Sequence, residues 1–224
     1  MLPPQIEYLM TIPLPISIYR IIHIDNLAIC LHRHGIYAPN CTPNDDLDYR
    51  AIHNLEIQKQ RKSFCLDCGP CGVIHDYVPF YFGYLSPMLF QLKTGRVEGY
   101  NGGQEPIIYL VSTIQAVASA GAGFVFSDGH GIAAYTEWYD DLINLNKVDW
   151  AMVYQRYWSD QVDDMDRQRR KQAEFLIHRF FDWNMICEIG VINDRIKHQV
   201  EEIMQPFPLT MQKHVCVHRD WYYH

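Results

Sequence analysis

Strand-like and helix-like segments follow one another along this chain without the strict βαβ rhythm of a doubly wound sheet. That irregularity points to an α+β fold. Ile16–Ile24 is isoleucine-rich, alternates weakly and reads as a strand. Asp25 is placed to cap a helix over Asn26–His34, with Leu27, Leu31 and His34 at helical spacing and Gly35 as the stop. Tyr49–Lys62 reads as a helix. Asp76–Phe82 is aromatic and β-branched, a strand that Pro79 assigns to an edge or a bulge. Ser86 and Pro87 open a short helix. Pro106–Val111 is a strand, Ser112–Ala120 a helix stopped by Gly121 and Gly123, and Phe124–Phe126 a buried strand. Met185–Ile192 and His214–His218 read as strands on either side of a helix at Asp194–Met204. Residues 127–158 are long, aromatic and acidic, the kind of segment that serves as a lid or substrate platform.

At 224 residues and 48% hydrophobic composition, the chain can bury one sizeable core, since single domains commonly reach roughly 250 residues. No Gly/Ser- or Pro-rich linker and no internal repeat divides it, so residues 1–224 are read as one domain. Met1–Pro15 is apolar but carries four prolines and lacks the basic start of a signal peptide. No apolar run approaches the roughly 20 residues needed to cross a bilayer. The expectation is a soluble, cytoplasmic protein with no membrane partner.

The seven cysteines are an odd count. Cys30, Cys41, Cys187 and Cys216 are scattered, as reduced and mostly buried thiols would be. Cys65-x2-Cys68-x2-Cys71-x3-His75 has metal-ligand spacing and is a weak zinc candidate. The favoured reading is a Gly/Pro-containing loop with three thiols and no metal, because no second Cys-x2-Cys pair supports the first.

A net charge of −7 argues against non-specific coating of nucleic acid. It leaves room for a local basic groove built from Arg167, Arg169, Arg170, Lys171 and Arg179, or for an ordinary solvated helix face. Glu174 follows that basic run and opens an apolar one, Phe175-Leu176-Ile177. A carboxylate so placed is either an ion-paired boundary residue or an acid aimed into a cleft. Ala173–His178 can extend a helix from Asp163 or begin a strand, and strand is preferred. Phosphate-binding Gly-x4-Gly-Lys-Ser/Thr and Gly-x-Gly-x2-Gly loops, the Gly-x-Ser-x-Gly elbow and His-Glu-x2-His are all absent.

An ordered set of fragments remains: Tyr19-Arg20-Ile21-Ile22-His23-Ile24-Asp25-Asn26-Leu27, Asp76–Phe82 running into Ser86-Pro87-Met88-Leu89, Ser127-Asp128-Gly129-His130, Arg170-Lys171-Gln172-Ala173-Glu174-Phe175-Leu176 and Asp220-Trp221-Tyr222-Tyr223. Together, from Tyr19 to Tyr223, they resemble the DarT family of DNA ADP-ribosyltransferase toxins. The cysteine loop lies outside that pattern.

The resemblance implies an ADP-ribosyltransferase-like split mixed β-sheet that clasps NAD, with surrounding helices and long substrate loops. It implies an NAD-dependent toxin that moves ADP-ribose, with inversion at the ribose carbon, onto a base in single-stranded DNA, typically thymine, and releases nicotinamide. Glu174 matches the family's catalytic glutamate. A carboxylate that hydrogen-bonds the ribose hydroxyl stabilises positive charge only as it develops, so it lowers the barrier. Arg61 matches an arginine that contacts NAD and supports transfer, with Arg50 as a rival. His130 matches a histidine that seats the base. Tyr19, Arg20, Ile21, Ile22 and His23 correspond to the strand edge that holds nicotinamide and its ribose through backbone groups, and either Arg20 or His23 can contact that ribose. Gly35 would let the chain approach the cofactor closely, and Asn40–Arg61 would cover it as a flap. For DNA, Tyr77, Phe80, Tyr81 and Met88 offer faces for a base, of which only one or two can be platforms. Arg167, Arg169, Arg170 and Lys171 would take phosphates. The family also implies a DarG-like macrodomain antitoxin. The alternatives are transfer to another base, to RNA or to protein, and a non-catalytic module held together by zinc at the cysteine loop.

Overall fold

A computed structural model describes residues 13–224. The expectation for Met1–Pro15 therefore falls mostly outside the described residues. Among those residues the strands are β1 (Ser17–His23), β2 (Gly35–Tyr37), β3 (Cys65–Leu66), β4 (Gly72–Val73), β5 (Tyr77–Tyr81), β6 (Ile107–Thr113), β7 (Phe124–Ser127), β8 (Trp138–Tyr139), β9 (Glu174–His178), β10 (Phe180–Asp182), β11 (Glu188–Val191) and β12 (His214–Val217). The helices are α1 (Leu27–His32), α2 (Leu55–Ser63), α3 (Pro87–Lys93), α4 (Ile114–Ser119), α5 (Trp150–Val153), α6 (Arg167–Lys171) and α7 (Asp194–Met204).

Eight strands form one mixed sheet in the order β12-β11-β6-β1-β5-β9-β7-β8. Only β11 and β12 run parallel, joined by α7. This helix buries Ile196, Val200 and Met204, one residue per turn of a single stripe. Strand β6 is buried from Ile107 to Val111 because both of its faces are covered, which explains its unbroken apolar run. The fold is α+β, as the irregular succession of elements suggests.

The sheet is divided at one seam. β1 pairs with β6 along its whole length, Ser17 to His23. It meets β5 at a single rung, Tyr19 opposite Tyr81. β5 then pairs with β9 from Tyr77 to Tyr81. Pro79 is thus neither on an outer edge nor in a bulge. The Phe82 N–H donates to Ala173 O next to β9, so alternation turns Pro79 toward β1, where its missing N–H takes nothing from a ladder.

Two local readings are corrected. The expected helix over Tyr49–Lys62 begins only at Leu55, where the Asn54 side chain accepts the N–H groups of Glu56 and Ile57 at 2.9 and 3.2 Å. Gly35 serves packing rather than a ligand. It pairs with Asp182 in the small β2–β10 sheet, and a Cβ there would stand 2.2 Å from Phe181 O and 2.5 Å from the Phe180 ring. Among the described residues no helix is long and apolar enough to cross a membrane.

Candidate active site

Tyr81 pairs with Tyr19 on one side and with Glu174 on the other. Glu174 therefore stands on β9 at the level where β1 and β5 part. The opening leads into a cavity of about 750 Å³ lined by Arg20, Ile21, Ile22, Arg61, His130 and Glu174, among others. That volume lies within the roughly 300–1,000 Å³ usual for small-molecule sites.

Alternation along β9 sends Phe175 and Ile177 into the main core and turns Glu174 to the opposite face. Arg61 reaches it from the last turns of α2. Its Nη1 donates to Glu174 Oε1 at 2.9 Å and its Nη2 to Oε2 at 2.7 Å. Arg61 is 7% exposed and Glu174 2%. Two parallel charge-assisted bonds fix the carboxylate plane as well as its charge. The Gly131 N–H adds a third donor to Oε1 at 3.2 Å. Behind it, the Glu174 N–H donates to Ser127 Oγ at 3.2 Å, and that hydroxyl donates to Gly129 O at 2.6 Å. Burial by itself raises the Glu174 carboxyl. The Arg61 charge and hydrogen bonds, with His130 and the Gly131 N–H, outweigh burial and hold it below its ordinary value.

His130 is held by its backbone: its N–H donates to Arg169 O at 2.9 Å, and its carbonyl accepts from Ala133 N and Thr136 Oγ1. Its ring nitrogens make no hydrogen bond among the described residues. Burial, opposed by Glu174 and aided by Arg61, pushes the imidazole below its ordinary value, so it is neutral at pH 7. Arg20 spans the seam, with Nη1 donating to Pro79 O at 2.8 Å. Its Nε is buried without a partner, and no carboxylate among the described residues pairs with it. Residues 49–54 wall the other side. There the Asn26 carboxamide clamps Arg50, donating to its carbonyl at 2.9 Å and accepting its N–H at 2.7 Å. The Arg50 guanidinium pairs instead with Asp25 at 2.8 Å. The site thus combines an ionised buried acid, a cation without a counter-charge and a neutral imidazole around one cleft.

A family profile described as "ssDNA thymidine ADP-ribosyltransferase, DarT" matches residues 19–223. The chain belongs to the DarT family. A DNA ADP-ribosyl transferase of Thermus sp. (strain 2.9) is 41% identical over 213 residues, covering 95% of this chain and 99% of the relative. The solved structure of Thermus sp. 2.9 DarT in complex with ADP-ribosylated ssDNA superposes with a TM-score of 0.88 at 41% identity, covering 94% of this chain and 98% of that one. The same protein in complex with NAD+ gives 0.84 at 40% identity, covering 94% and 99%. The divided sheet is accordingly the DarT fold.

The other residues that the DarT resemblance nominated from sequence divide between the cavity wall and the core. Phe80 is 1% exposed and packs on Phe181 at 4.7 Å between ring centres, so it serves the core while bordering the cavity. Tyr77 is fully buried, its hydroxyl donating to Cys71 O at 2.7 Å. Tyr77, Phe80, Tyr81 and Met88 all border the cavity. The Tyr19 side chain packs into a cluster with Tyr84, Tyr109 and Trp221, which leaves its backbone groups as what it can offer a ligand. His23 is buried, its Nδ1 accepting the Asp25 N–H at 3.2 Å. Of Arg20 and His23, only Arg20 lines the cavity.

The cations of the basic run are engaged within the protein, although Arg169 also borders the cavity. Arg167 donates to Tyr157 O and Ser159 O. Arg169 is paired with Asp128 and Asp166, and Arg170 with Asp149 and Asp164. Lys171 is 2% exposed, and its Nζ donates to Tyr84 O at 2.9 Å and Val153 O at 2.6 Å. Burial brings that ammonium down to about 7. The unfolded chain holds this proton up to about pH 10, so stability gains from Lys171 as pH rises from 7 toward 9. In Lys171→Met that rise should be missing from urea-unfolding curves taken across the interval. The cysteine loop held the weak zinc candidate. Cys65 and Cys71 turn their thiols to Ser63 O and Gly69 O, His75 bonds Gln58, and among the described residues the four are not gathered as a ligand set.

Sequence reasoning gave no role to Ser127 and Asn26, though both lie in the quoted fragments, and did not name Gly131. Ser127 and Gly131 flank the Asp-Gly-His motif, and a hydroxyl ending an apolar strand was the available signal. Asn26 acts on residues 24 positions away, which no local pattern reveals.

Proposed function

We propose that this chain transfers ADP-ribose from NAD to thymine in single-stranded DNA, releasing nicotinamide, and acts as a toxin. The observation that carries this reading is Glu174, ionised and gripped by Arg61, at the mouth of the seam in a DarT fold. The NAD-dependent DNA ADP-ribosyltransferase activity is that of the family. The assignment of roles to residues is ours.

NAD lies along the seam with its nicotinamide ribose against Glu174. The bond from ribose C1′ to the pyridinium nitrogen breaks, its electron pair stays on nitrogen, and nicotinamide leaves neutral. The Glu174 carboxylate accepts a hydrogen bond from the neighbouring ribose hydroxyl and offsets the positive charge growing on the ring. A thymine ring nitrogen attacks C1′ from the opposite face, which inverts the centre. Its proton passes to the neutral His130 imidazole. Such a nitrogen is paired in duplex DNA, which explains the need for single strands. Arg61 keeps Glu174 ionised and aimed, and Tyr81 or Met88 supports the base.

Arg20 supplies the uncompensated charge for the pyrophosphate. A hydrogen bond to a charged group contributes about 1.5–3 kcal/mol. Arg20→Met should therefore raise the KM for NAD by about 10- to 150-fold with a smaller change in kcat. An unchanged KM would remove Arg20 from this role. The family relation also suggests a macrodomain antitoxin that removes the modification.

Mass spectrometry of oligonucleotides incubated with NAD tests the whole reading. The expected result is one ADP-ribose adduct on thymine in a mixed-sequence single strand, with none on the same sequence as duplex. An adduct on RNA, on another base or on protein alone would replace the proposed substrate.

A further inference from the structure

The parallel edge of the sheet carries a donor set that the transfer chemistry does not use. Glu188 on β11 lies directly opposite His214 on β12. Side chains alternate along a strand, so Cys216, two residues on, returns to the face of His214. One ligand atom each from Glu188, His214 and Cys216 lie within 4.8 Å of one another. His214 Nδ1 is 3.1 Å from Cys216 Sγ. Donors bound tetrahedrally at about 2.0–2.3 Å stand roughly 3.3–3.8 Å apart, so rotamer-scale shifts suffice to close the set.

The chemistry of the donors narrows the ion. A thiolate, an imidazole and a carboxylate together suit a borderline-soft divalent ion, whereas magnesium and calcium ask for oxygen alone. His214 is exposed and the other two are partly so, which leaves an entry path. A further partner already stands behind the carboxylate. His218 Nε2 is 2.7 Å from Glu188 Oε1, and its ring stacks on Trp221 at 3.7 Å. Outer-shell histidine–carboxylate contacts of this kind orient ligands in metal sites. Among the described residues this is the one trio of such side chains gathered so closely.

We propose that Glu188, His214 and Cys216 bind a divalent transition-metal ion of the zinc class, with water in the fourth position. None of the three lines the NAD cavity. The role is structural: the ion fastens β11 to β12, whose exit through His218 carries Trp221 onto Tyr19.

Chelator-stripped full-length protein titrated with Zn2+ alone should take up one equivalent. Cys216→Ser and His214→Ala should each weaken binding by about tenfold or more. The triple change Cys65→Ser, Cys68→Ser, Cys71→Ser should leave it intact. With Co2+ as the probe, a thiolate-to-cobalt absorption should appear and vanish in Cys216→Ser. Circular dichroism of each stripped variant should match the stripped parent, and the second ligand variant keeps the test decisive if one fails to fold. No stoichiometric uptake, uptake unchanged in both single variants, or uptake abolished by the triple change overturns the proposal.

Discussion

Glu174→Gln should transfer ADP-ribose about 1,000-fold or more slowly than the parent, because removing a single preorganised electrostatic contact already costs about 10²–10³ in rate. NAD binding should stay within a few-fold. The amide keeps the shape of the carboxyl and can still accept from the Gly131 N–H, which donates at 3.2 Å. What it loses is the negative charge, and that charge matters most when the ribose carbon is most positive. An interaction made mainly in the transition state lowers kcat and kcat/KM together and leaves ground-state affinity alone. Single-turnover nicotinamide release, beside a direct NAD titration, separates the two effects. A variant that retains a tenth of the parent rate would show that another group carries the stabilisation.

The second large effect is on stability. Arg61 and Glu174 are both buried, and removing one member of such a pair strands the other, typically at about 3–5 kcal/mol. Arg61→Met and Glu174→Leu should each show that loss in urea unfolding. The double variant should recover most of it, since apolar residues of similar volume often replace a buried pair at little cost. Full additivity of the two losses would mean that the side chains do not act as a pair. The pair also sets an acid limb. The folded carboxyl sits below its ordinary 4.5. Its contribution is complete above that value and is lost as pH falls through the folded pKa. The double variant should lack that part of the acid dependence, although its activity is gone.

Much of this was legible wherever one local rule governed a segment. The strand around Ile16–Ile24, the Asp194–Met204 helix and the Ser86–Pro87 helix start all appear, the last with Ser86 Oγ accepting the Leu89 N–H at 3.2 Å. The preference for a strand at Glu174 was right because β9 runs between two partners, β5 and β7. What stayed hidden depends on contacts distant in sequence. Residues 49–54 are irregular rather than helical, and there Asn26 takes both backbone groups of Arg50. Gly35 looked like a ligand contact because a glycine does not say which backbone it must approach. The cations of α6 looked available because their aspartate partners are scattered from Asp128 to Asp166. At the site, Glu174, Arg61 and His130 were nominated from the family pattern, while the seam that brings them together is a property of the sheet.

The occupied cations of α6 bear on how such an enzyme would search a chromosome. Duplex DNA offers every visitor the same thing, a rail of phosphates, and a protein of charge −7 with its nearest arginines already engaged has little to hold that rail with. It would drift past intact helix and dwell where bases are bare. Replication forks and other unwound stretches would then be its hunting ground, chosen by exposure of the target rather than by attraction to the polymer.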